Sequence, residues 1–230
     1  PISHVGESWK KPGEYFRVNV LGTENLLEAA TDGGRARTVV CASSAEVYGP
    51  VPEDEQPLHE ERLPDPRSPY ALTKAAAERI ALARGAVVAR SFNLVGPGQA
   101  SSFALPSFAS QLAEIARGKG EKVLKVGNLS ARRDFVHVDD GADAFRILAE
   151  RGRPGHVYNI ASGHAVSICD ALDRLRAVSG VEAEVQVDPE RMRPVDVPLL
   201  LGDSHHLRQF GWEPRRTLDE ALADLWSSIA

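Results

Sequence analysis

The chain has 230 residues, 43% hydrophobic and 26% charged, the composition of a globular protein of one large domain or a domain with a small appendage. With 27 Lys and Arg against 32 Asp and Glu, the net charge of −5 favours neither a nucleic acid nor a membrane surface as partner, and an anionic ligand must be held by local arginines. No apolar run approaches a membrane span, no signal peptide is visible, and Cys41 and Cys169, far apart in sequence, read as reduced thiols of a cytoplasmic protein rather than a disulfide.

In chain order, YFRVNVLGTENLLEAATDGG places Val18, Leu21, Leu26, Leu27, Ala29 and Ala30 at helical spacing, with Gly33 and Gly34 as the stop. ARTVVCASS is a short β-branched run, a buried strand of parallel-sheet type that ends in Ser43 and Ser44. The Pro-rich, acidic stretch from Tyr48 to Pro69 is a long surface loop. It leads into a helix over SPYALTKAAAER, with Ser68 as N-cap and Pro69 in the first turn. GAVVARSFNLVGPG is another buried strand, SFALPSFASQLAEIARG a helix, and EKVLKV a short strand. A loop with paired arginines follows, then a helix from about Val138. Strand, turn and helix follow in HVYNIASGHAVSICDALDRLRAVSG, then a strand in AEVQV and two helical pieces around GWEP. Strands alternating with helices predict an α/β fold with a mostly parallel sheet. Such sheets bind ligands at the carboxyl ends of their strands, here Ser43-Ser44 and Phe92-Asn93.

Tyr70 and Lys74 are four residues apart, so they share one helix face. An ammonium beside a phenol favours the phenolate and is expected to lower the Tyr70 pKa from its usual value of about 10. A tyrosine tuned in this way can exchange a proton with a carbonyl or alcohol. The pair alone is a weak signal, because short motifs recur by chance.

Seven stretches in order strengthen it: NVLGTENLLEAA, SSAEVYG, SPYALTK, RSFNLVGPGQ, RRDFVHVDD, YNIASG and FGWEP. Together they resemble the extended short-chain dehydrogenase/reductases, the epimerase, dehydratase and reductase group acting on nucleotide sugars. The resemblance covers nearly the whole chain. It implies a Rossmann-type doubly wound sheet over residues 1–98 and 134–165, and a smaller substrate-binding region over 99–133 and 166–230. It implies NADP or NAD as cofactor, a nucleotide-diphosphate sugar as substrate and a homodimer. Ser44 would bond the reacting sugar oxygen, Tyr70 would move the proton, and Lys74 would hold the nicotinamide ribose. Asn19, Ser43 and Phe92 match positions near the cofactor, although a backbone-bonded Asn and a core Phe are equally open readings. Ser3, Asn93, Arg133 and Arg193 match substrate contacts, the two arginines at the diphosphate; Arg132 has no such match. No metal ligands are assigned.

The family opens with a strand, a Gly-rich turn and a helix for the cofactor pyrophosphate. No such stretch occurs here, so the first part of the Rossmann domain is expected to be absent from this chain. The segment AAAERIALARG between Lys74 and the next strand is also shorter than usual in the family, which leaves two readings, residues missing near Arg84-Gly85 or a member that is simply short there. After Ser44, Ala45 and Glu46 stand where some 4,6-dehydratases carry an Asp-Glu pair. Glu46 is retained as a catalytic candidate, and the lost first carboxylate argues against the dTDP-glucose dehydratase pattern. GPGQ, FALPSFASQ and RPVDVPLLLGD look most like the reductases of GDP-4-keto-6-deoxy-mannose, which make GDP-rhamnose. A GDP-mannose 4,6-dehydratase or a UDP-hexose 4-epimerase is the next reading. An inactive fragment or a nucleotide-sugar-binding remnant is the reading of another class.

Overall fold

The computed structural model describes residues 2–31, 38–119, 121–192 and 196–230. Helices α1 (Val5–Lys10), α2 (Pro12–Phe16) and α3 (Gly22–Thr31) come first, and a π-helical turn, Arg17–Leu21, joins the last two. The single helix expected here is therefore interrupted at Asn19. π-turns of this kind are often found beside functional sites. Gly33 and Gly34, the expected stop, lie outside the described residues.

Strand β1 (Val40–Ser44) runs into a 3-10 turn, Ala45–Tyr48, and the acidic loop to Arg67 contains one further 3-10 turn, Glu53–Glu55. Helix α4 (Pro69–Ala83) begins as expected, with the Ser68 hydroxyl accepting the Ala71 N–H at 3.1 Å. The short connection to β2 (Val87–Ser91) closes without strain. Gly85 takes φ +73°, and Gly85 N and Ala86 N donate to Leu82 O and Ala81 O at 3.0 and 2.8 Å. The run expected to be one strand then splits into β2 and β3 (Asn93–Val95), which join different sheets on either side of Phe92.

Next come α5 (Ala104–Ala116), β4 (Val123–Val126), β5 (Arg132–His137) and α6 (Val138–Arg151). The paired arginines open β5 rather than lying in a loop, because Arg132 and Arg133 pair with Leu199 and Leu200 on one side and with Ser167 and Val166 on the other. Then follow β6 (Val157–Ile160), β7 (Ala165–Ser167), α7 (Ile168–Ser179), β8 (Glu184–Val187), β9 (Leu199–Leu200), α8 (His205–Arg208) and α9 (Leu218–Ser227).

Strands β1, β2 and β6 form a parallel sheet in that order. A second sheet orders β3-β5-β7, with β9 also on β5, and β4 pairs with β8 in parallel. Continuous burial of β2 makes it a central strand, covered by α4 and α6. One apolar core lies between α5, β4, α7 and α9, around Leu112, Leu124, Leu175 and Leu222. A second lies between β2, β6 and α6 and takes in Trp212, whose indole N–H donates to Asp140 O at 2.9 Å. This packing puts Ser44 and Ser91 at the carboxyl ends of the neighbouring strands β1 and β2, with the first turn of α4 beside β1; Asn93, expected at such an end, instead opens β3, because the chain changes sheet at Phe92.

Candidate active site

Ser44, Tyr70 and Lys74 meet where β1 ends. Tyr70 is buried in a small cluster with Val5 and Tyr15, and its ring stands edge-on to Tyr15 with centroids 6.4 Å apart. Tyr15 is itself fixed by donating its hydroxyl to His4 O at 2.6 Å. Burial pushes the Tyr70 phenol up to about 12; contact with the Ser44 hydroxyl pulls it down, and the Glu46 carboxylate pushes it up further. The expected lowering by Lys74 does not occur in this structure. The ammonium lies 5.9 Å from the centre of the Tyr70 ring, and burial outweighs the other influences on the phenol. Tyr70 is thus held as a neutral acid.

Lys74 is buried, and its ammonium donates to Ala42 O at 2.8 Å. Burial lowers its pKa, and Cys41 and Glu78 oppose that fall. Ser44 caps the turn after β1 by accepting the Glu46 N–H at 3.3 Å, which keeps Glu46 near Tyr70. Ser43, the residue before it, donates its hydroxyl to Glu78 of α4.

The remaining expected residues are placed as follows. Asn19 is buried; its carbonyl oxygen accepts Ile2 N–H at 2.8 Å, and its amide donates to Ile2 O at 3.0 Å and Thr73 Oγ1 at 3.1 Å. Its side chain thus clasps the Ile2 backbone and α4, as in the backbone-bonded reading. Phe92 is a core residue packed with Tyr48, Leu58 and Leu200, and a Cβ on Gly202 would come within 2.5 Å of its ring. Ser3 and Asn93 are exposed. Arg133 is buried, donating to Asp196 Oδ1 at 2.8 Å, Val197 O at 2.7 Å and Arg132 O at 2.9 Å. Arg132 is half exposed and pairs with Glu53. Arg193 lies outside the described residues.

Several residues of the site were not picked out by the motifs. Glu78, one turn beyond Lys74, forms a buried pair with Arg90, whose guanidinium sits 4.7 Å over the Tyr48 ring. Tyr48 donates to Asn159 Oδ1 at 2.8 Å. Asp134 is fully buried and accepts from Ser162 N, Ser162 Oγ, Gly163 N and Gly202 N, which ties β5 to the turn after β6 and to β9. Glu78 had a sequence signal in its spacing from Tyr70 and Lys74; Arg90, Asp134 and Asp196 fall inside stretches that carry the resemblance, but nothing there named their partners, which lie 12, 28 and 63 residues away.

A nicotinamide cofactor fits one part of this site. The buried Lys74 ammonium has made one hydrogen bond among the described residues, which leaves N–H donors for ribose hydroxyls, with the centre of the Tyr70 ring 5.9 Å away. No Gly-rich turn of the kind that cradles a pyrophosphate occurs among the described residues. Glu60, Glu61 and His206 form a surface cluster, but Glu60 is already engaged by the Asn159 N–H at 2.7 Å. No helix among the described residues is long and apolar enough to cross a membrane.

A parallel sheet with a buried tyrosine and a lysine on the helix beside its strand ends is the arrangement of a short-chain dehydrogenase/reductase of the extended type. Residues 2–225 match the family model described as GDP-mannose 4,6 dehydratase, and the chain belongs to that family. The chain is 38% identical over 232 residues to the GDP-6-deoxy-D-mannose reductase of Pseudomonas aeruginosa, spanning 98% of this chain and 76% of the relative. It is 31% identical over 201 residues to the GDP-6-deoxy-D-talose 4-dehydrogenase of Aggregatibacter actinomycetemcomitans, spanning 85% of this chain and 66% of that protein. The solved structure of RMD from Pseudomonas aeruginosa complexed with NADPH superposes with a TM-score of 0.92 at 36% identity, over 99% of this chain and 78% of that one.

Proposed function

We propose that the chain carries the catalytic residues of an NAD(P)H-dependent reductase that converts the C4 ketone of a GDP-linked 6-deoxy-hexose to an alcohol, GDP-4-keto-6-deoxy-mannose to GDP-rhamnose. The observation that carries the reading is the meeting of Ser44, neutral Tyr70 and buried Lys74 at one strand end. The similarity to a GDP-6-deoxy-D-mannose reductase supports the substrate class.

When bound, the reduced nicotinamide supplies a hydride to C4. Tyr70 donates its phenolic proton to the C4 oxygen as negative charge grows there, and Ser44 orients that oxygen. Lys74 binds the cofactor ribose, and the Ser44 hydroxyl, whose contact pulls the Tyr70 pKa down, steadies the phenolate left behind. Phe92 and Asn19 support the cofactor side through packing and through the Ile2 clasp. Ser3, Asn93, Arg133 and Arg193 are proposed to face the nucleotide sugar, on the region formed by residues 99–133 and 166–230 and its border with 1–98 and 134–165. Arg133 does so only by sharing its guanidinium with Asp196. The free thiols of Cys41 and Cys169 accord with a cytoplasmic enzyme, which fractionation of the source cells would test.

The test supplies GDP-4-keto-6-deoxy-mannose to the full protein and follows absorbance of the reduced nicotinamide. One cofactor oxidised per sugar reduced is the expected result. Turnover of GDP-mannose or a UDP-hexose without net cofactor use would instead establish the dehydratase or the epimerase reading; Glu46, close enough to act on Tyr70, is what favours the dehydratase among these. No turnover at all, with GDP still bound, would establish a binding remnant.

A homodimer through α1 to α4 is part of the same reading. Phe16, Leu21, Leu26 and Leu72 are each more than half exposed on these helices, an apolar set that a second copy would cover. Leu26→Glu with Leu72→Glu should give a monomer by sedimentation, and a wild-type monomer at micromolar concentration would refute the dimer.

A further inference from the structure

Three consecutive residues of β1 meet three residues of α4 spaced one turn apart. Ser44 contacts Tyr70, Ala42 O accepts from Lys74, and Ser43 donates to Glu78. Positions i, i+4 and i+8 of a helix share a face, so these three contacts fall on one stripe of α4. The last of these contacts is made by a carboxylate that is only 2% exposed. Its oxygens also take Arg90 Nε at 3.1 Å and Nη2 at 2.9 Å, and Arg90 stands opposite Ser43 in the β1–β2 register. Helix, first strand and second strand are locked together at this point. Stability accounts poorly for such a lock, since a buried ion pair is often matched by apolar side chains of the same volume.

We propose that Glu78 is a positioning residue of the active site: it fixes α4 on the carboxyl end of β1 through Ser43 and Arg90, and it holds a buried negative charge one helical turn from Lys74. The role rests on the catalytic reading of Tyr70 and Lys74 given above. Of the groups around Lys74, β1 contributes Cys41, whose thiol burial pushes up, while the Arg90 guanidinium of β2 is held by Glu78. On the remaining sides, Glu46 after β1 and Tyr15 of α2 act on Tyr70, Glu7 of α1 acts on Tyr15, and Glu24 of α3 pairs with Arg84 at the far end of α4. Glu78 is therefore the buried anion that acts on Lys74. Without it the buried ammonium loses a nearby negative charge that favours its protonated form, so it gives up its proton at lower pH.

The experiment compares Glu78→Gln, Glu78→Asp and Ser43→Ala in the full protein. Glu78→Gln should lower kcat by about tenfold or more while KM stays within about twofold, and should move the alkaline limb of the kcat profile to lower pH. Ser43→Ala keeps the charge, so it should lower kcat without moving the limb, and Glu78→Asp should restore the limb. An NMR titration of the Lys74 side chain reads the same proton without turnover. A lowered Lys74 pKa in Glu78→Gln, in a protein without reductase activity, would leave this role standing and remove the reaction assigned above. An unmoved Lys74 titration together with wild-type kcat in Ser43→Ala would overturn it. Should Glu78→Gln not fold, Ser43→Ala and Glu78→Asp decide, and wild-type kcat in both would overturn the proposal.

Discussion

Lys74 and Arg133 are both cations that the motifs assign to a ligand, and both are about equally buried, at 5% and 4% exposure. Their surroundings differ. Lys74 has given one hydrogen bond to a neutral carbonyl, and the buried carboxylate that acts on it, Glu78, is occupied by Ser43 and Arg90. Arg133 has a carboxylate of its own at 2.8 Å and two carbonyls besides. Asp196 in turn accepts from Asn128 at 2.6 Å, so it is held in place from both sides. A ligand can use Lys74 as it stands, but at Arg133 it must share or displace Asp196. The difference shows that a buried cation is poised for binding only where its counter-charge is kept at a distance.

The largest effect should come from the reacting side. Tyr70→Phe should lower kcat by about 10²- to 10⁴-fold in steady-state kinetics while GDP binding is retained. Wild-type turnover in that variant would break the comparison at its centre. Next, Arg133→Ala strands Asp196 and should cost about 3–5 kcal/mol in denaturant unfolding, with GDP binding weakened by roughly tenfold or more. Loss of stability with unchanged GDP affinity would make Arg133 a purely structural cation. Asp196→Asn keeps the shape but removes the competing charge, and should tighten GDP binding by about fivefold, near 1 kcal/mol, in calorimetry. Weaker binding there would mean that Asp196 orients Arg133 rather than competing for it. The smallest effect is expected for Arg132→Ala, which breaks an exposed pair with Glu53 and should change stability by no more than about 1 kcal/mol and KM by less than about twofold. A large rise in KM would move the anion contact from Arg133 to its neighbour.

Much of the reacting side could be read from the sequence because it is local. Ser68, Pro69, Tyr70 and Lys74 lie within one helix start, where capping chemistry and the 3.6-residue period set which side chains share a face. The β-branched run before Ser44 predicted the strand that carries it. The same reasoning took the paired arginines for a loop and GAVVARSFNLV for one strand, since strand pairing with β7, β9 and β6 depends on residues far along the chain.

By itself the sequence determined the α/β order of elements, the Tyr70–Lys74 face of α4 and the placing of serines at a strand end, all consequences of short-range periodicity and capping. Only the tertiary structure decided the charge states and partners. Burial raises the Tyr70 pKa to about 12 despite the nearby lysine, because removing a phenol from water penalises its ionised form and the ammonium stays 5.9 Å from its ring centre. Packing likewise chose Asp196 for Arg133 and the Glu78–Arg90 pair for Ser43, across 63 and 35 residues of chain between the bonded groups. Such contacts follow from which surfaces meet when the sheets and helices assemble, and no local pattern encodes them.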